Sequence, residues 1–185
     1  MRKNIIYSLL LVVAALFAGC ESRLDIEKHG NMGDQNDFYQ TDEQTEQAVA
    51  SMYSSLKGLY YNWFFTKNLL SDDVWCGGGQ RGDNTSLEQL NEYTYGTDNG
   101  MIQGVFSGLY GLIYQSNLVI EKVADDTPAK KRAIAEAKFF RAWANFELVT
   151  LWGTAPLVDH LLEPGEYRQG NSTPEIGRAS CRERV

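Results

Sequence analysis

The sequence predicts an all-α fold with one long irregular loop. Three observations carry this. Apolar residues recur at helical spacing over two long stretches, capping residues stand where those stretches begin and end, and strand-like alternation is weak throughout. A first helix is signalled at Thr41, where Thr41 and Gln44 fit the S/T-x-x-E/Q capping box. Ala48, Met52, Leu56 and Leu59 continue it on one stripe, and Gly58 weakens its last turn, so the spacing predicts an end near Tyr60. Residues 62–95 read as irregular. Trp63, Phe64, Phe65, Leu69 and Leu70 can pack, Ser71, Asp72 and Asp73 suit a turn or cap, and Gly77, Gly78 and Gly79 are costly to order. The Lys-Ser/Thr pair of a phosphate loop does not follow these glycines.

The second helix is predicted from Thr97 or Asp98 to Val123. Its stripe is Met101, Val105, Leu109, Leu112, Ser116 and Ile120, flanked by Phe106, Ile113 and Val119. Gly104, Gly108 and Gly111 lower helix propensity but suit close approach of a neighbouring helix. Thr127 and Pro128 supply the cap and first position of a third helix, expected to run to about Trp152. Its stripe is Ala133, Ala137, Phe140, Ala144, Leu148 and Leu151, broadened by Ile134, Phe139 and Trp143. Gly153 stops it and Pro156 prevents its resumption. The short connection makes these two helices antiparallel neighbours, and both are apolar over too wide an arc for an isolated hairpin.

The N-terminus reads as a secretory signal over residues 1–19. Arg2 and Lys3 precede an apolar run, and the chain turns polar after Gly19 and Cys20. Cys20 after Leu16, Phe17, Ala18 and Gly19 fits a bacterial lipobox, with lipid carried on its sulfur and new amine; Phe17 stands where Leu is usual. Residues 20–40 then form a lipidated tether, and no second apolar run of membrane length follows. Residues 176–185 differ in composition from what precedes them. They back-translate as ATC GGA AGA GCG TCG TGT AGG GAA AGA GTG, which matches a common sequencing adapter whose next triplet in that frame is a stop. They are expected to be adapter translation, and residues 41–175 the domain itself.

The formal charge of −7 and the absence of a basic cluster argue against nucleic-acid binding. Three cysteines form no disulfide framework, and two histidines give no metal-ligand spacing, so neither metal nor cofactor is expected.

The segment LYGLIYQSNLVIEKV at 109–123 resembles the second helix of SusD/RagB-type nutrient-uptake lipoproteins. The segment AEAKFFRAWANFELVTLWGTAPLV at 135–158 is similar to that family's AEAkFlRAyayf-LvrlyGdvPLv signature, with Trp143 and Trp152 where tyrosine is usual and minor departures at Asn145 and Thr150. Leu24 and Asp25, and Asn68 with Ser71, Asp72 and Asp73, fit the family's order. The resemblance implies a surface-exposed outer-membrane lipoprotein of Bacteroidota that binds oligosaccharides or peptides as a lid on a SusC-like TonB-dependent transporter. It implies a helical scaffold with TPR-like helix pairs, of which this chain would be a truncated N-terminal part. Neighbouring helices normally complete such pairs, so an exposed edge of the piece should be apolar.

Single residues narrow the function. Cys20 is a lipid-attachment site. Lys130, Lys131, Arg132, Glu136, Arg141 and Glu147 read as a solvated helix face with no acid/base pair, and adjacent Asp72 and Asp73 cannot flank a glycosidic bond. Asn117 suits an interhelical hydrogen bond. Trp75, with Arg81 and Asp83 close behind, suits a stacking platform for a sugar ring, or else folds back as the anchor of its loop. The reading is therefore a non-catalytic binding lipoprotein serving uptake; the alternative is a helical-repeat scaffold that binds protein only.

Overall fold

The computed structural model describes residues 38–71 and 73–171, all helix, turn or loop, with no strand among the described residues. Helix α1 spans Asp42–Leu69, α2 Thr85–Asn91, α3 Gly100–Lys122 and α4 Pro128–Trp152, and a 3-10 turn follows at Pro164–Glu166. None of these helices is long and apolar enough to cross a membrane.

The start of α1 is the expected capping box. The Thr41 hydroxyl accepts from the Gln44 amide at 3.2 Å, and Gln44 Oε1 accepts from the Thr41 amide at 3.1 Å. Its end is not where Gly58 suggested. The helix continues nine residues beyond Tyr60, because Trp63, Thr66 and Leu69 meet the rest of the protein on the same side as Met52 and Leu59. That packing outweighs the roughly 1 kcal/mol a single glycine costs. Residues 62–95 are thus the last turns of α1, a loop, and the short helix α2. Leu87 and Leu90 of α2 close a small second core with Leu69 and Met101.

Helix α3 begins two or three residues later than the spacing suggested, after an asparagine cap. Asn99 Oδ1 accepts from the Met101 and Ile102 amides at 3.0 and 3.4 Å. Its amide group donates to Ser86 O and Gln89 Oε1, both at 3.0 Å, so one buried side chain starts α3 and fastens α2 to it. Helix α4 has the expected limits: Thr127 caps the Lys130 amide at 3.2 Å, and Gly153 ends it at φ +72°, a conformation that favours glycine.

The three long helices form the main core. Helix α3 packs against both α1 and α4, which also touch each other. Met52, Leu59, Val105, Leu109, Leu112, Ile113, Phe140 and Leu148 fill the centre. Small residues set the spacing. A Cβ at Gly108 would lie 2.8 Å from Leu59 Cδ1, and one at Gly104 would strike the Asn62 side chain, so Leu59 and Asn62 of α1 rest where a larger residue on α3 would make them shift. Contact moves down α3 as it moves up α1, so α3 runs antiparallel to α1, and α4 runs parallel to α1.

Three charges read as solvated are buried. Arg141 is 6% exposed and Glu147 3%. The guanidinium of Arg141 donates from Nη1 to Asn117 Oδ1 at 2.8 Å and to the Asp159 carbonyl. The bond that Asn117 on α3 accepts from Arg141 on α4 is the expected interhelical one, and its amide donates to the His160 carbonyl in the following loop at 2.9 Å. Glu147 accepts from Trp63 Nε1 at 2.8 Å and from Lys67 Nζ at 2.9 Å. Lys130 is buried as well, its Nζ 2.9 Å from Asp126. Lys131 and Arg132 face solvent, as the spacing suggested. The outer edge of α1 and α4 carries exposed Tyr53, Tyr60 and Phe64, with Phe139 61% and Phe146 60% exposed.

Candidate functional site

The loop between α1 and α2 sits at the end of the bundle where α1 and α4 finish and α3 begins. Side-chain bonds to its own backbone give it shape. Asp83 Oδ2 accepts from the Gly79 and Gln80 amides at 2.7 and 2.9 Å. Glu88 Oε1 accepts from the Gly82 amide at 2.7 Å, and Asn91 Oδ1 from the Cys76 amide at 2.8 Å. Gly82 has φ +91°, so this turn needs its glycine. Arg81 spans to α2 in a two-pronged pair with Glu92, Nη1 to Oε1 at 2.7 Å and Nη2 to Oε2 at 2.8 Å, which raises its pKa further.

These bonds frame an open cavity of about 280 Å³ lined by Trp75, Gln80, Arg81, Glu88, Asn91 and Glu92 among others. Trp75 does not fold back as the loop's anchor; it is 79% exposed. The structure therefore brings Trp75 and Arg81 to one cavity and places Asp83 outside its lining, beneath the glycines. Asn91 and Glu92, which sequence reasoning did not single out, reach the same cavity because α2 carries them there. An asparagine cap signal at Asn84 is the only local sign of that helix. Cys76 is unpaired, and burial, with Glu88 and Glu92 nearby, pushes its thiol pKa up, which opposes nucleophilic use. Among the described residues no three His, Cys, Asp or Glu side chains gather as a metal set requires. Cys20, Asp72 and residues 176–185 lie outside the described residues.

The segment after α4 is fastened across α3 and α4. The Tyr110 hydroxyl donates to Pro156 O at 2.7 Å, and burial moves its pKa up to about 12, so it remains a donor through the physiological range. The Leu161 amide donates to Glu121 Oε1 at 2.6 Å. On the outer side His160 bridges Asp159 at 2.8 Å and Glu166 at 3.2 Å. The Asp159 bond, then the Glu166 bond, raises the His160 pKa. The His160 bond lowers Asp159, and the Glu163 backbone, then His160, lowers Glu166. The raised histidine contributes stability that is complete below its ordinary value and lost as pH rises through the raised one. The lowered carboxylates contribute stability present above their ordinary values and lost as pH falls through the lowered ones. Residues 158–166 should therefore be best protected between about pH 5 and 6 and loosen above neutrality. Hydrogen exchange at the Leu161 amide measures this, and His160→Gln should flatten the profile on its alkaline side; an unchanged profile would contradict the bridge.

Residues 25–184 match the family model SusD-like_3, described as "Starch-binding associating with outer membrane". A SusD-like protein of Bacteroides ovatus is 32% identical over 166 residues, covering 82% of this chain and 29% of that protein. SusD-like protein P38 of Formosa agariphila is 28% identical over 156 residues, covering 84% and 30%. Among solved structures, a laminarin binding SusD-like protein superimposes with a TM-score of 0.67 at 24% identity over 77% of this chain and 32% of that one. A SusD-like carbohydrate binding protein from Bacteroides fragilis gives 0.55 at 20% identity over 79% and 31%. Those structural likenesses speak for the fold. The chain spans about 30% of the length of the relatives it matches. With the family match covering most of its residues, the chain belongs to the SusD-like family.

Proposed function

We propose that this chain is part of a non-catalytic cell-surface lipoprotein that captures oligosaccharides and delivers them to a SusC-like TonB-dependent transporter in the outer membrane. The observation that carries the reading is the exposed Trp75 ring at the mouth of a cavity lined by Arg81, Asn91 and Glu92. A sugar ring offers an apolar face to stack and hydroxyls that both donate and accept, and this cavity supplies partners for each. The starch-binding description of the family and the laminarin named for one similar structure favour a glucan. The cavity has no activated nucleophile beside a base, so binding without turnover is the chemistry it supports.

Titration with laminarin and soluble starch tests the site. Trp75→Ala should weaken the bound glucan about tenfold, the worth of one covered ring face. Retention of full affinity would remove Trp75 from the site. Attachment through Cys20 is part of the same proposal, supported by the signal-to-polar junction at that residue. Cys20→Ala should abolish labelling of the protein by a fatty-acid probe in cells, and equal labelling of variant and parent would refute the anchor. A protein-binding scaffold is the second reading, favoured by the exposed Phe139 and Phe146 on α4. It gains if neither glucan binds and a partner protein does.

A further inference from the structure

The cavity beside Trp75 contains an arginine, and arginine is the side chain best shaped to grip a carboxylate or sulfate, through two parallel N–H bonds. Arg81 already gives that grip to the protein itself. Its Nη1 donates to Glu92 Oε1 at 2.7 Å and its Nη2 to Glu92 Oε2 at 2.8 Å, so the two-pronged face and the positive charge are both answered. The Arg81 side chain is 77% exposed and that of Glu92 30%, so a bound ligand meets the pair directly.

The rest of the wall is acidic or neutral. Glu88 lines the same cavity, and its Oε1 takes the Gly82 amide at 2.7 Å, which orders the loop without adding a counter-charge. Between residues 71 and 99 Arg81 is the only lysine or arginine, against six aspartates and glutamates, so that segment has no second cation to offer. Cys76, in the same lining, registers the balance: burial, then Glu88 and Glu92, pushes its thiol pKa up. One cation faces two carboxylates, and the other polar side chains, Gln80 and Asn91, are neutral amides suited to hydroxyl groups.

We infer that this cavity takes uncharged saccharides and turns away acidic ones, such as uronate or sulfated chains, and that Glu92 sets the preference by holding Arg81. The inference rests on the saccharide reading above and adds the charge class to it. An anionic sugar beside Trp75 meets a guanidinium already paired and two carboxylates of its own sign. A neutral ring meets neither obstacle. Selectivity of this kind comes from the repulsive element as much as from the attractive one.

A matched pair of probes isolates charge: laminaritetraose, and the same tetrasaccharide with its C6 hydroxymethyl groups oxidised to carboxylates. Affinity is read by saturation-transfer NMR in the full chain. The parent should bind the neutral probe about tenfold more tightly or better, and added salt should narrow the gap by screening the repulsion. Glu92→Gln should shrink the ratio about tenfold, whatever the neutral probe itself gains or loses, because it removes one carboxylate and releases the guanidinium. Adding Arg81→Gln should restore the exclusion. Should Glu92→Gln fail to fold, Glu92→Asp keeps the charge, shortens the reach by one carbon, and should move the ratio the same way by about threefold. The field is also read without a sugar. Cys76, mapped by mass spectrometry, should react several-fold faster with a trimethylammonium methanethiosulfonate than with its sulfonate analogue, each scaled to its rate with free cysteine. Equal affinity of the parent for both probes would overturn the inference and leave the saccharide reading standing. So would a ratio that the Glu92 variants leave unchanged, or a gain that survives Arg81→Gln. Equal scaled rates at Cys76 would overturn it as well, whichever sugar binds. Binding of neither probe would overturn the saccharide reading and this inference with it.

Discussion

Arg141→Met should lower the stability of the chain by about 2–4 kcal/mol in urea unfolding, although methionine matches arginine in length and suits a helix. The reason lies in what remains. Asn117 Oδ1 and the Asp159 carbonyl both lose the donor that Nη1 supplies; Asn117 is fully buried, while Asp159 lies at the surface and its carbonyl bond is partly covered. Each stranded acceptor costs about 1–3 kcal/mol. Arg141→Lys should rescue little, because the lysine ammonium ends one bond short of the position from which the single nitrogen Nη1 serves both acceptors. The measurement is the urea midpoint at constant slope. A midpoint equal to that of the parent chain would mean that water reaches both acceptors.

Glu147→Leu is the second large effect, expected at about 2–3 kcal/mol. Trp63 Nε1–H and the Lys67 ammonium both point at this carboxylate. Leucine leaves both unanswered in a seam where Glu147 itself is almost fully covered. The cost sits below that of a fully buried pair because Lys67 is 32% exposed and can turn to water. Glu147→Gln should cost about half as much, since its amide oxygen still serves Trp63. Equal losses for Leu and Gln would show that the charge on Lys67, and not the indole bond, dominates.

These two residues also show where sequence reasoning stops. Caps are local, so Thr41, Thr127 and Gly153 could be read from a few neighbouring letters, and the structure uses all three. The stripes of α3 and α4 were legible because burial repeats at the helical period. The charges on α4 were not, because α4 is covered from two sides. Arg141 and Glu147 are six residues apart, which at about 100° per residue turns one toward α3 and the other toward α1. A single stripe has no place for a second buried face. The last turns of α1 were hidden behind Gly58, whose local cost is visible while the compensating contacts of Trp63 and Leu69 lie far along the chain. Helix α2 is seven residues long, too short to display a period. Of the site, Trp75 and Arg81 were legible as chemistry, but the outward turn of Trp75 depends on α2 and its bonds to the loop.

One contact at the far end of the bundle has a mechanical consequence. Thr127 Oγ1 donates to Asp42 Oδ1 at 2.6 Å, so the first turns of α1 and α4 share one carboxylate. Some thirty ångströms along, near the other end of the same two helices, Glu147 takes Trp63 and Lys67. The pair is riveted at both ends. Sliding one helix past the other by a single turn, about 5.4 Å, would shear both rivets together, so neither helix can ratchet while the other stays put. Helices α1 and α4 must then move as one girder.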